Sequence, residues 1–267
     1  VLIVNLFGGM RHVTQIKAQH PAARVIALPD VCFNDVFRLE HPAGLLFLEQ
    51  LQAADVIGYV SDSNRQFYGA LVDKPLVYVP HAIGTDAYFE TVRAFPKSDY
   101  LITLDHSEHT GQRPLDYTVP NIAAVAAIQR ETGIPVVYVN AGADTRAYAA
   151  RIGLKADFLK YVPYADYVAL AARARLGVDM FALHGFGRNE ITLAYAGTPC
   201  IGSTYTHGGL PELKLDPWQP LAAVPLARRV LAAYEDWRAA GIRHVEERYC
   251  FDAARAQLAD MIKQVTI

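Results

Sequence analysis

Short apolar runs, each closed by Gly, Pro or Asp and each followed by a helix-length segment, recur along the chain. That alternation admits one fold class, an α/β protein with parallel sheets. Residues 1–7 form an apolar run interrupted only by Asn5, the pattern of a strand buried on both faces of such a sheet. Gly8-Gly9 follow at once, residues 10–20 read as a helix, and 24–28 as a second strand ended by Pro29-Asp30. A helix at 43–54, a strand at 55–60, a helix at 64–71 and a strand at 75–79 closed by Pro80-His81 complete a first half. After Pro96 the pattern restarts, with strands at 100–104, 135–140, 158–162 and 177–183 and helices at 119–132, 144–152 and 164–172. A loop at 216–220 and amphipathic helices at 225–240 and 252–265 end the chain. Because parallel strands are joined by right-handed crossovers, the reading is two doubly wound sheets in succession, with a linker at 84–96.

Composition supports two buried cores: 267 residues, 52% of them hydrophobic and 19% charged. A formal net charge of −2 provides no basic field to draw in nucleic acid or anionic lipid without specificity. Three widely separated cysteines, Cys32, Cys200 and Cys250, argue against a disulfide framework and for a reducing compartment, so the expected location is cytoplasmic. No run reaches the ~18 to 20 apolar residues of a spanning helix, which leaves peripheral membrane contact at most. The sequence opens inside a strand pattern at Val1, so a leader or a longer N-terminal part is expected beyond it.

Residues 184–203 carry the strongest chemical signal. Gly185 and Gly187 let backbone approach a ligand, and Arg188 or Asn189 then opens a helix whose free N–H groups and positive dipole end favour an anion. Gly197 stops that helix, Thr198-Pro199 keeps it from resuming, and Cys200-Ile201 starts a strand. The same pattern also fits an ordinary α/β unit with a Gly-rich turn.

Five segments, in this order, resemble the GT-B glycosyltransferases, and within them the retaining group of glycosyltransferase family 4, of which this chain looks like a compact, divergent member. They are Gly8-Gly9 with the following Met10-Arg11-His12; Val79-Pro80-His81 through Phe89; Gly185-Phe186-Gly187 through Gly197-Thr198-Pro199; Gly208-Gly209-Leu210-Pro211-Glu212; and Tyr249-Cys250-Phe251-Asp252. The resemblance implies two Rossmann-like domains facing each other across a cleft. Residues 1–92 would be a short acceptor-side domain, 93–250 would bind the nucleotide sugar, and 251–267 would be a helix crossing back to the first domain. Where the family signature places glutamates, one touching the donor sugar and one the ribose, this chain has His184 and Thr192. Glu190, two residues before Thr192, is rotated about 200° from it on a helix and does not replace it in register. Of the family's basic pair only Arg113 remains.

The implied activity is transfer of a sugar from a nucleoside diphosphate sugar to the hydroxyl of a carbohydrate or lipid-linked acceptor. Such transfer needs charge stabilisation of the departing diphosphate and placement of the hydroxyl. Gly8, Gly9, Arg113, Gly185, Phe186, Gly187, Arg188, Asn189, Glu190 and Thr192 are the donor-binding candidates, His81 and His184 the catalytic ones, and Tyr164 a candidate to stack on the base. No cofactor is expected, and the sequence has no Asp-x-Asp tripeptide of the kind that holds a metal in other glycosyltransferases. With so short a first domain, either acceptor recognition is minimal or a homo-oligomer or partner subunit completes it.

Other readings remain open. Asp105-His106-Ser107-Glu108-His109 is dense in metal-capable side chains but lacks a helical His-Glu-x-x-His. A nucleotide-sugar epimerase would share the architecture, and a non-catalytic nucleotide-sugar-binding or regulatory subunit would explain the missing glutamates. An NAD oxidoreductase is disfavoured, because Gly8-Gly9 lacks the Gly-x-Gly-x-x-Gly spacing.

Overall fold

A computed structural model describes residues 1–6, 11–29, 41–79, 82–84, 87–105, 115–182 and 185–266. The chain divides into two compact units, one of Val1–Ala82, Leu183–Phe186 and Phe251–Ile267, the other of Ile83–Ala182 and Gly187–Cys250.

The first unit holds a four-stranded parallel sheet in the order β1 (Leu2–Leu6), β2 (Val25–Pro29), β3 (Val56–Tyr59), β4 (Leu76–Tyr78). Right-handed crossovers that always step the same way lay their helices on one face. Accordingly α1 (His12–Gln19), α2 (His41–Ala53) and α3 (Asp62–Leu71) bring Val13, Phe47, Leu51, Tyr68 and Val72 into one core with Leu6, Val25, Ala27 and Ile57. Side chains alternate across a strand, so the intervening Ile26, Val56, Val77 and Val79 point to the other face. That face is closed from far along the sequence by the C-terminal helix, Phe251–Thr266, through Leu258, Met261 and Val265. Burying a side chain the size of Met261 contributes about 1.5–3 kcal/mol, so this helix is part of the unit's core.

The expectation that residues 1–7 form a strand buried on both faces is corrected. β1 is an edge strand, with Val1, Leu2 and Ile3 exposed by 54%, 45% and 41%. Its apolar run fits interior packing, but every crossover steps away from it on the same side, so among the described residues it pairs only with β2.

The second unit is doubly wound. Its six parallel strands are β5 (Leu101–Leu104), β6 (Val136–Val139), β7 (Asp157–Phe158), β8 (Leu176–Asp179), β9 (Cys200–Ser203) and β10 (Lys214–Leu215), in the order β10-β9-β8-β5-β6-β7. The helices are α4 (Ala87–Arg93), α5 (Leu115–Thr132), α6 (Ala143–Arg151), α7 (Tyr164–Arg173), α8 (Arg188–Tyr195), α9 (Ala223–Ala232) and α10 (Tyr234–Arg248). Helices α5, α6 and α9 share one core with Leu101, Val136, Leu176, Val178 and Ile201. On the opposite face α8 lies close to the sheet at Gly177, where an added Cβ would fall 2.8 Å from Leu193 Cδ1.

Three element expectations change. The strand expected at 158–162 is only Asp157–Phe158. The helix expected at 225–240 is two helices, broken at Ala233, whose φ of −120° and ψ of 43° are not helical. Helix α4 occupies much of the segment read as a linker.

Candidate nucleotide site of the second unit

Strand order reverses between β5 and β8, and in open α/β sheets the crevice beyond the carboxyl ends of the strands at such a switch point is where ligands bind. A buried polar stitch fixes these two strand ends. Asn121 of α5 donates Nδ2–H to Thr103 Oγ1 at 2.8 Å and accepts the Met180 N–H at 2.9 Å, while Thr103 donates to the Val178 carbonyl at 2.8 Å. Just past β5, Asp105 is fully buried and accepts from Thr145 Oγ1 at 2.5 Å and from the Gly142 N–H at 3.4 Å, at the start of α6. Its carboxylate therefore serves the positive end of that helix.

Beyond β8 the chain enters α8 through Gly187, whose φ of 78° and ψ of 37° are left-handed and favour glycine. A Cβ on Gly187 would also lie 2.8 Å from Gly208 N and 3.1 Å from Gly208 Cα, so two glycines twenty-one positions apart pack backbone to backbone. Arg188 is exposed in the first turn, and no side chain of the N-cap residue covers the helix start. Asn189 and Thr192, three residues apart, face α7. Tyr167 donates its hydroxyl to Asn189 Oδ1, and Tyr164 Oη lies 3.4 Å from Thr192 Oγ1. Burial pushes the Tyr167 hydroxyl well above its usual range, which keeps it a donor. Asn189 is only 6% exposed, and its Nδ2 has no hydrogen-bond partner among the described residues. A buried amide donor without a partner is costly unless something else accepts from it. At its other end α8 closes in a Schellman motif: Gly197, at φ 81°, donates to the Ala194 carbonyl at 3.1 Å and Thr198 to that of Leu193 at 2.9 Å.

Glu190 turns the opposite way. It is fully buried, and its carboxylate accepts from the Ser203 N–H at 3.3 Å, from Thr206 Oγ1 and from Lys214 Nζ. Lys214 also donates to the Thr206 carbonyl at 3.0 Å. Burial pushes the Glu190 carboxyl up to about 7, more than Lys214 and Thr206 offset. The loop it holds, 203–213, is braced from α10 and beyond as well. The half-buried His244 imidazole is held below its usual range by burial, with the Gly209 backbone opposing that shift, and Tyr249 donates to the His207 carbonyl at 3.1 Å.

Near the start of α7, Asn140 holds a left-handed φ of 58° and its Oδ1 accepts the Val162 N–H at 3.0 Å, which fixes the loop before α7. Tyr161 and Tyr164, which flank Val162 and Pro163, are 66% and 57% exposed, and Tyr164 is the one that reaches Thr192.

Of the residues singled out in the sequence, Gly187, Arg188, Asn189 and Thr192 lie at the cap and in the first turns of α8, whereas Glu190, expected among the donor contacts, is buried against Thr206 and Lys214. Gly185 and Phe186 are half-buried and group with the first unit. Gly8, Gly9, His81, His106, His109, Arg113 and His184 lie outside the described residues. Sequence reasoning missed Asn121, Tyr167, Lys214 and His244. Each is a polar residue in an apolar or amphipathic segment, a signal that names no partner. Among the described residues no helix is long and apolar enough to cross a membrane.

No protein-family model and no curated protein matches the sequence. Solved structures do match. A UDP-forming α,α-trehalose-phosphate synthase from Burkholderia xenovorans is similar over 99% of this chain and 74% of its own, with a TM-score of 0.74 at 14% identity. A sucrose-phosphate synthase from Thermosynechococcus elongatus is similar over 95% and 70%, at 0.71 and 14%. A trehalose-6-phosphate protein from E. coli bound with UDP-2-fluoro glucose is similar over 97% and 72%, at 0.71 and 13%. At such identities the likeness is one of fold, and the chain has the α/β fold with parallel sheets of the Rossmann-like GT-B glycosyltransferases.

Proposed function

We propose that the chain moves a sugar from a nucleoside diphosphate sugar to an acceptor hydroxyl, without a metal and with retention, in the manner of the family-4 enzymes that its motifs resemble. The observation that carries this reading is the start of α8. A left-handed Gly187, an exposed Arg188 and an Asn189 Nδ2 without a partner among the described residues together supply N–H groups, a guanidinium and an amide donor beside a topological switch point. These are the donors a diphosphate requires, and the arginine and helix end would stabilise the charge that develops on the leaving group. Tyr164, Tyr161 and Thr192 provide the neighbouring surface for a base and ribose. The roles of His81 and His184 in orienting sugar hydroxyls rest on their places in the sequence motifs. The structural neighbours support the substrate kind, since one is a UDP-forming synthase and another is bound with a UDP sugar.

The test is nucleotide release from UDP-, GDP- and ADP-sugars with and without EDTA. Release that survives chelation is the expected result, and abolition by EDTA would contradict metal independence. A second reading, a nucleotide-sugar-binding subunit, is favoured by one observation: Thr192 stands where a carboxylate would meet the ribose, and the nearby Glu190 carboxylate is buried on Lys214. Nucleotide binding without release under any acceptor would select it.

A further inference from the structure

Glu190 is a fully buried ionisable residue that touches no surface a ligand could reach, yet it lies in the first turn of the helix assigned to the diphosphate. Two glycines make room for it. A Cβ on Gly202 would lie 2.7 Å from Glu190 Oε2, and one on Gly209 2.8 Å from the same oxygen. The carboxylate gathers the Ser203 N–H, the Thr206 hydroxyl and the Lys214 ammonium, and Lys214 in turn donates to the Thr206 Oγ1 at 2.8 Å and carbonyl at 3.0 Å. The loop so held carries Gly208, whose backbone rests on Gly187 at the head of the same helix. A closed circuit results, running from Glu190 through Thr206 and Lys214 to Gly208, and back through Gly187 to the α8 start.

We infer that Glu190 and Lys214 are a positioning pair that sets the geometry of the Gly187–Asn189 donors from beneath and so governs diphosphate affinity. The inference rests on the reading that a diphosphate binds at the α8 start. Buried groups that orient a binding residue without touching the ligand act through placement, and a displacement of about 1 Å changes binding or rate on the order of tenfold to a hundredfold.

The experiment is isothermal titration of the whole chain with UDP, GDP, ADP and inorganic pyrophosphate, for wild type, Glu190→Gln, Lys214→Met, Lys214→Arg and the double variant Glu190→Leu/Lys214→Met. The double variant replaces both charges by apolar groups, an exchange that buried ion pairs commonly tolerate, so it keeps the test open where a single variant unfolds. Val125→Ala, which trims the core on the other face of the sheet, serves as a control for lost stability alone. The expected result is affinity at least about tenfold weaker in Glu190→Gln, Lys214→Met and the double variant, recovery in Lys214→Arg, and wild-type affinity in Val125→Ala. Wild-type affinity in the folded double variant, or an equal loss in Val125→Ala, overturns the inference. A wild type that binds none of the four probes refutes instead the assignment of the diphosphate to this helix.

Discussion

Replacing Gly208 by Ala should separate the packing of the α8 start from the stability of the unit that carries it. The added Cβ would overlap the Gly187 carbonyl oxygen and lie 2.9 Å from its carbon and 2.8 Å from Ile191 Cγ1. Real Cβ contacts essentially never fall under 3.0 Å, and Gly187 offers backbone rather than a flexible side-chain end, so one chain segment must move off the other. Overpacking of this kind costs about 1–3 kcal/mol, which for a unit of this size lowers Tm by about 2–4 °C per kcal/mol. Gly153→Ala is the matched comparison. Gly153 has φ 78° but nothing within 4 Å of an added Cβ, so its cost is the left-handed strain alone, about 1–2 kcal/mol. In a thermal-shift assay with a nucleoside diphosphate at about 100 times Kd, wild type gains about 2.7 kcal/mol. Gly153→Ala should melt earlier yet keep that ligand gain, and Gly208→Ala should lose most of it. A Gly208→Ala protein that retains the full wild-type gain would refute the role given to the Gly187–Gly208 contact.

Two further perturbations follow from burial. Met261→Ala empties a site between the C-terminal helix and the first sheet and should cost about 2–4 kcal/mol, seen as earlier loss of far-UV circular dichroism; a variant that melts with wild type would show that this helix does not close the sheet. Because burial raises the folded Glu190 carboxyl to about 7 from its ordinary 4.5, the fold favours its neutral form, and stability present below pH 4.5 is lost as pH rises to 7, by about 3 kcal/mol at most. Glu190→Gln should flatten that decline in urea midpoints measured between pH 5 and 8, and parallel profiles for the two proteins would contradict the assignment.

The sequence was informative where one local rule acts alone. Gly197-Thr198-Pro199 ends α8 because a left-handed glycine followed by Thr-Pro has few other uses, and the apolar runs at 101–104, 136–139 and 176–179 became strands because burial on both faces demands such runs. It was uninformative where a choice depends on what lies across space. Leu258, Met261 and Val265 mark an apolar stripe on the last helix, but nothing local tells that the stripe covers Ile26 and Val56 some two hundred positions earlier. Residues 1–7 carry an interior-strand pattern, and yet β1 within them is an edge, because position in a sheet is set by the sense of the crossovers. The break at Ala233 falls on a good helix former, so it reflects how α9 and α10 pack rather than propensity. At the site, the spacing of Glu190 and Thr192 showed that they face different ways. That Glu190 faces Lys214 required the register of β9 with β10.

The central claim is that the start of α8 receives a nucleoside diphosphate. Its most direct test is the binding of UDP, GDP and ADP to wild type and to Asn189→Ala, by titration calorimetry at fixed ionic strength. At least one diphosphate should bind wild type, and binding should weaken by about 1–3 kcal/mol when the buried amide donor of Asn189 is removed. Failure of all three to bind wild type, or equal affinity in the two proteins, would contradict it.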